Sequence, residues 1–242
     1  MSFRIDHLVI LVADLAQASA DFADLGFTVV PGGTHTDGAT HNALISFADG
    51  TYLELIAFLR EAPEHRWWRY AATGEGLIDW ALLPADIAAD IAAARARGVA
   101  YDGPILGGRQ RPDGQEIAWQ IGLPPAPDLP FLCADVTPRA LRVPGGAATQ
   151  HANGAAGIAR LSLAAADVRA SAARYAALLG QDASPAAEPC FALGEAALCL
   201  ASGGRAAARL AARGEGPYAL VLRTQRGAPQ RDWHHGLLFS FE

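Results

Sequence analysis

The sequence predicts an α+β chain built from repeated βαβββ units, and three observations carry that prediction. An apolar strand, an acidic residue opening an Ala-rich helix and a glycine closing it recur three times, over residues 5–26, 78–98 and 158–180. Asp-Gly pairs at Asp49-Gly50 and Asp113-Gly114 lie between apolar runs, a strong hairpin signal because these residues tolerate positive φ. A stretch rich in Pro, Gly, Ala and polar residues, 138–156, separates the second copy from the third and reads as a surface linker. The expected organisation is two units over 1–137, the linker, and a third unit with an incomplete fourth over 157–242.

In the first copy Ile5, His7, Val9 and Leu11 alternate onto one strand face. Asp14 suits a helix N-cap, Leu15, Ala18, Phe22 and Leu25 form one helical stripe, and Gly26 ends it. Strands follow over 27–30, over 40–47 after a Gly-rich turn at Pro31-Gly32-Gly33, and over 51–58. The second copy repeats the order: a strand at 78–83, a helix from Asp86 to Gly98, and strands at 116–121 and 131–134. In the third, Val168, Ser171, Tyr175 and Leu178 make the helical stripe, and short strands at 190–193 and 196–201 meet at Gly194-Glu195. Residues 205–213 read as a helix and 218–223 and 236–241 as strands.

Composition narrows the function classes. With 51% hydrophobic residues, 18% charged and 242 in all, the chain can bury a sizeable core. A net charge of −6 with scattered arginines gives no footprint for nucleic acid. No apolar run is long enough to span a bilayer and the first residues lead straight into a strand, so a cytoplasmic-type protein without a signal peptide is expected. A small molecule is the expected partner, with a homodimer left open. Cys133, Cys190 and Cys199 are odd in number and sit in apolar stretches, so reduced, buried thiols are expected. Dinucleotide, Walker and Gly-x-Ser-x-Gly motifs are absent from the sequence.

The run Ile5-Asp6-His7-Leu8-Val9-Ile10, the Thr40-His41-Asn42 segment and Asp49-Gly50-Thr51-Tyr52-Leu53-Glu54-Leu55-Ile56 resemble the glyoxalase-like branch of the vicinal oxygen chelate (glyoxalase, bleomycin resistance and dioxygenase) superfamily. Asp135-Val136-Thr137-Pro138-Arg139 and His151-Ala152-Asn153-Gly154 extend the resemblance. It implies paired βαβββ modules curled into half-open barrels around a cavity that holds a divalent metal, Zn, Fe, Mn, Ni or Co. It further implies metal-dependent lyase, isomerase or dioxygenase chemistry on a small oxygenated substrate. The alternative is a ligand-sequestering protein of the bleomycin-resistance type.

By that resemblance His7 and Glu54 occupy ligand positions, while Trp80 and Ala134 or Cys133 stand where the partner module's ligands belong. His41 is the candidate third ligand; the competing reading is a strand-edge histidine bonded to the turn. His7 and Glu54 may equally be read as a buried hydrogen-bonded pair without metal. Trp80, Arg111 and Trp119 are candidates for binding an anionic or planar ligand. His151, through the family's His-x-Asn-Gly motif, is a candidate for the cavity mouth.

Overall fold

The acid-opened helices form as the repeat dictates. In the computed structural model, which describes residues 3–224 and 231–242, Asp14 accepts from the amides of Ala16 and Gln17 and Asp86 from those of Ala88 and Ala89. Asp167 likewise accepts from Ala170 N–H. Each carboxylate thereby satisfies donors left free in a first helical turn. Gly26, Gly98 and Gly180 follow the three helices with φ of 85°, 87° and 65°, the left-handed backbone that glycine adopts without strain.

The chain runs β1 (Arg4–Leu11), α1 (Leu15–Asp24), β2 (Val30–His35), β3 (Thr40–Ser46), β4 (Tyr52–Phe58), then β5 (Gly76–Leu83), α2 (Ile87–Ala96), β6 (Asp102–Gln110), β7 (Glu116–Leu123) and β8 (Phe131–Asp135). After a short helix α3 (Arg139–Arg142) come β9 (Ala155–Ala164), α4 (Val168–Leu179), β10 (Cys190–Leu193), β11 (Ala196–Ala201), α5 (Arg205–Arg213), β12 (Gly216–Thr224), β13 (Arg231–His234) and β14 (Leu237–Phe241).

The first two units pair into one closed barrel of order β1-β4-β3-β2-β6-β7-β8-β5. Within it β1 runs parallel to β4 and antiparallel to β5, and β5 runs parallel to β8. The second half repeats these relations with β9, β11, β12 and β14, in a sheet of order β10-β11-β9-β12-β14-β13. Among the described residues that sheet has no counterparts of β2 and β6, the two strands that close the barrel, and it stays open. One hydrophobic core joins the halves, uniting Phe22, Leu55 and Leu132 of the first with Tyr175, Leu198 and Phe239 of the second.

Several local expectations are corrected. Pro31-Gly32-Gly33 is not a turn but part of β2, which makes the barrel seam with β6 through Thr34↔Gln110 and His35↔Arg109. Glycine is required there by close approach: a Cβ on Gly33 would lie 1.9 Å from the Gln110 carbonyl oxygen. Ile5 does not share a face with His7. The pairing of β1 with β5 slips between Ile5 and His7, a bulge at Asp6 that turns Ile5 outward with Leu8 and Ile10 while His7, Val9 and Leu11 face inward. Cys190 and Cys199 are not reduced thiols; they face each other across β10 and β11 and form a disulfide, leaving Cys133 free and buried. The 138–156 segment lies against the barrel, with Arg142 buried to 2% exposure and His151 also buried. No helix among the described residues is long and apolar enough to cross a membrane.

Candidate functional site

A cavity of about 250 Å³ occupies the barrel, walled by His7, His35, Glu54, Arg109, Trp119 and Arg142 among others. The bulge in β1 sets up its floor. Consecutive strand residues normally point to opposite faces, but here the Asp6 Oδ2 and His7 Nδ1 atoms are 2.7 Å apart. Asp6 is fully buried and also receives Arg142 (2.8 Å) and Arg139 (2.6 Å). Burial alone would raise its carboxyl, yet Arg142, the His7 hydrogen bond and Arg139 outweigh that and hold it well below the usual range. An ionised Asp6 is acceptor-only, so His7 Nδ1 carries a proton and donates, and Nε2 is the ring nitrogen left to face the cavity.

That nitrogen faces Glu54. His7 Nε2 is 3.5 Å from Glu54 Oε2, and His35 Nε2 is 3.5 Å from Glu54 Oε1. Asn42 Nδ2 donates to Glu54 Oε1 at 2.6 Å, and Thr40 Oγ1 lies 2.8 Å from His35 Nδ1. Burial opposes ionisation of Glu54, but His35, His7, Asn42 and Arg109 together hold its pKa below the ordinary glutamate value. Burial pushes His35 downward despite Glu54, favouring its neutral form. Cys133, also on the wall, is pushed up to about 12 by burial and stays a thiol.

Arginines supply the rest of the polar wall. Arg142 donates from Nη1 to the Tyr52 hydroxyl at 2.7 Å and from Nε to Asp135 at 2.5 Å, and Tyr52 stacks on the His7 ring at 4.5 Å. Arg66 pairs with Asp79 and lies over Phe131. Arg109, 3% exposed, donates from Nε to Gly32 O (3.0 Å) and from Nη2 to Arg142 O (2.9 Å). Trp119 meets His35 edge-on at 5.9 Å.

The residues singled out in the sequence are thus placed unequally. His7, Glu54 and Trp119 are on the cavity wall. His41 is not: Thr40 and Asn42 point into the barrel, so the intervening His41 faces outward with Ala43 and Ile45, where burial lowers its pKa against the opposing pull of Asp14. Trp80 faces the outer core and stacks on Tyr175 at 6.3 Å. Arg111 lies outside the cavity, bonded to Leu141 O (3.2 Å) and Asp113 (3.1 Å). His151 fastens its segment to the barrel: Nδ1 accepts from Thr28 N–H at 2.9 Å, so Nε2–H donates to Ser46 O at 2.9 Å. His35, Arg109 and Arg142 were missed, the first two because the β2–β6 seam was not foreseen and the third because it sits in the Pro- and Gly-rich segment.

Among the described residues no three His, Cys, Asp or Glu side chains are placed so that they could hold a metal ion as they stand. What stands in the barrel is an open arrangement, two histidines approaching the two oxygens of one carboxylate. Its donor types nevertheless fit a borderline divalent ion, two imidazoles and a carboxylate being a common set. The 3.5 Å gaps are long for hydrogen bonds and near the ligand–ligand edge of about 3.3–3.4 Å that a tetrahedral ion with bonds of about 2.0–2.1 Å would set. A carboxylate behind the imidazole, as Asp6 stands behind His7, is the usual support of a metal-binding histidine.

Comparison with known proteins accords with this architecture. A structure of a hypothetical protein from Staphylococcus aureus superposes with a TM-score of 0.81 at 15% identity, covering 99% of both chains. A mutant of 4-hydroxymandelate synthase from Streptomyces coelicolor superposes with a TM-score of 0.63 at 15% identity, covering 99% of this chain and 92% of that one. At these identities the likeness is one of fold. No curated protein matches the chain. The model of a glyoxalase-like domain matches residues 5–179, most of the chain and the whole of the cavity-bearing barrel, and the protein therefore belongs to the glyoxalase-like domain family.

Proposed function

We propose that the protein is a divalent-metal-dependent enzyme of the isomerase, lyase or dioxygenase type, acting on a small oxygenated molecule in the barrel cavity. His7, Glu54 and His35 hold the ion. The observation that carries the reading is the convergence of two imidazoles on one buried carboxylate: His7 Nε2 and His35 Nε2 each lie 3.5 Å from a Glu54 oxygen, with Asp6 behind His7 Nδ1.

When bound, the ion supplies Lewis-acid polarisation of substrate oxygens. The chain's own residues do the remainder. Asp6 and Thr40 orient the two imidazoles through their Nδ1 atoms. Tyr52 accepts from Arg142 at its oxygen, and burial raises its pKa well above the usual value, so it stays protonated with its O–H free to donate to an oxygen in the cavity. Trp67, Trp119 and Phe131 provide apolar wall against a planar portion of the substrate and keep bulk water from it.

Elemental analysis of protein purified without metal-affinity tags or chelators tests this. Near-stoichiometric Zn, Fe, Mn, Ni or Co is expected, and its loss in a His7→Ala/Glu54→Ala double variant. Metal-free wild-type protein that also fails to take up these ions in a titration would sink the proposal.

A further inference from the structure

The cavity wall holds one arginine that makes no direct ion pair among the described residues. Around the floor, Arg142 and Arg139 are matched by Asp6 and Asp135, and on the wall Arg66 is matched by Asp79. Arg109 has no ion pair among the described residues; its two hydrogen bonds go to main-chain carbonyls, Gly32 O and Arg142 O. A guanidinium has five N–H donors, so several remain uncommitted. Burying an unpaired charge at 3% exposure is costly.

The placement is built. Arg109 reaches the cavity because its main chain pairs with His35 in the two-residue seam that closes the barrel. The same seam therefore puts a candidate metal ligand and a free guanidinium side by side. The two carbonyl bonds fix the fork of the guanidinium, so little side-chain freedom is lost when a ligand binds.

We infer that Arg109 is a substrate-binding residue, and that the molecule accepted by the cavity carries a carboxylate in addition to the oxygens that meet the ion. The inference rests on the function proposed above for the chelating end of the substrate, but not for the anionic end. A divalent ion beside Glu54, together with Arg109, would outweigh the charges of Glu54 and Asp37 on the wall, which favours an anionic over a neutral chelator. A planar carboxylate matches the bidentate donor geometry of a guanidinium.

The test uses two probes with the same vicinal oxygens, 3,4-dihydroxybenzoate and catechol. Each is titrated at pH 7 into the full chain while the fluorescence of Trp67 and Trp119 on the cavity wall is followed. Both the metal-loaded and the chelator-treated protein are used. The wild type is expected to bind the carboxylate roughly 10–100-fold more tightly than catechol, the worth of one charge-assisted contact, and to keep the preference after chelation. Arg109→Met is expected to abolish the preference while changing catechol affinity less than about 3-fold, and Arg109→Lys to restore part of it. Equal wild-type affinities, no binding of either compound, or a preference retained in Arg109→Met overturn the inference. The metal reading fails separately, if chelation leaves both affinities unchanged.

Discussion

Asp6 and His7 are consecutive residues of one strand, yet their side chains meet on the same side, Oδ2 to Nδ1 at 2.7 Å, because the strand bulges at Asp6. A flat strand would send them to opposite faces. The bulge places a buried anion behind an imidazole and fixes which nitrogen of that ring looks into the barrel.

Asp6→Asn tests that relationship. The amide keeps the shape but loses the charge that Arg142 and Arg139 both use. A 10–100-fold loss of metal affinity is expected, as for other supports of a ligating histidine, measured by competition with a chromophoric chelator. Stability should fall by about 3–5 kcal/mol, the cost of breaking a buried ion pair, measured by urea unfolding.

His35→Ala and His41→Ala should separate cleanly. Removing His35 is expected to deplete the metal, whereas His41→Ala, on the outer face of β3, should leave metal content unchanged and shift stability by less than about 1 kcal/mol. Elemental analysis of the two purified variants decides between them; metal lost from the His41 variant alone would reverse the assignment.

Stability near neutral pH should carry an opposing contribution from His235, which bonds Glu75 and Asp21 at 2.8 Å each. Burial disfavours its charge, but the two carboxylates outweigh it and raise its pKa above the unfolded value. The stabilisation is therefore complete below the ordinary imidazole pKa and lost as pH rises through the raised folded value. Chemical unfolding of wild type and His235→Gln at pH 5.5 and pH 9 should show a gap at the lower pH that closes at the higher one. His35, pushed downward by burial, acts with the opposite sign and weakens the fold as pH falls through its folded value.

Gly33→Ala should open the barrel seam. Its Cβ would meet the Gln110 carbonyl oxygen at 1.9 Å, and φ at this position is 132°. A loss on the order of 3 kcal/mol is expected, with weaker metal binding because His35 lies two residues along the same strand. Unchanged thermal unfolding and unchanged metal content would contradict the seam's role.

Thiol titration of the denatured chain should report one free group, Cys133, before reduction and three after it. Closing a loop of this length contributes about 2–3 kcal/mol, so Cys190→Ser/Cys199→Ser should unfold at lower denaturant concentration.

Local chemistry was legible in the sequence wherever neighbours along the chain decide the outcome. Asp14, Asp86 and Asp167 cap helices because a short carboxylate beside free amides does so in any fold, and Gly26, Gly98 and Gly180 end them for an equally local reason. The repeat disclosed the βαβββ units, and the family resemblance singled out His7 and Glu54, whose strands lie side by side in the barrel. What the tertiary structure alone decided was set by contacts between distant segments. Gly32 and Gly33 look like a turn until β3 and β6 close on them, Asn42 against Gly32 and the Gln110 carbonyl against Gly33; the arrival of β6 places His35 and Arg109 in the cavity. Arg142 sits in a stretch whose composition suits a linker, and only the buried charge of Asp6, 136 residues away, explains why it is drawn into the core. His41 and His35 are equally plausible ligands by composition; the period of two along β3, counted from Asn42 against Glu54, turns one outward, and barrel closure brings the other in.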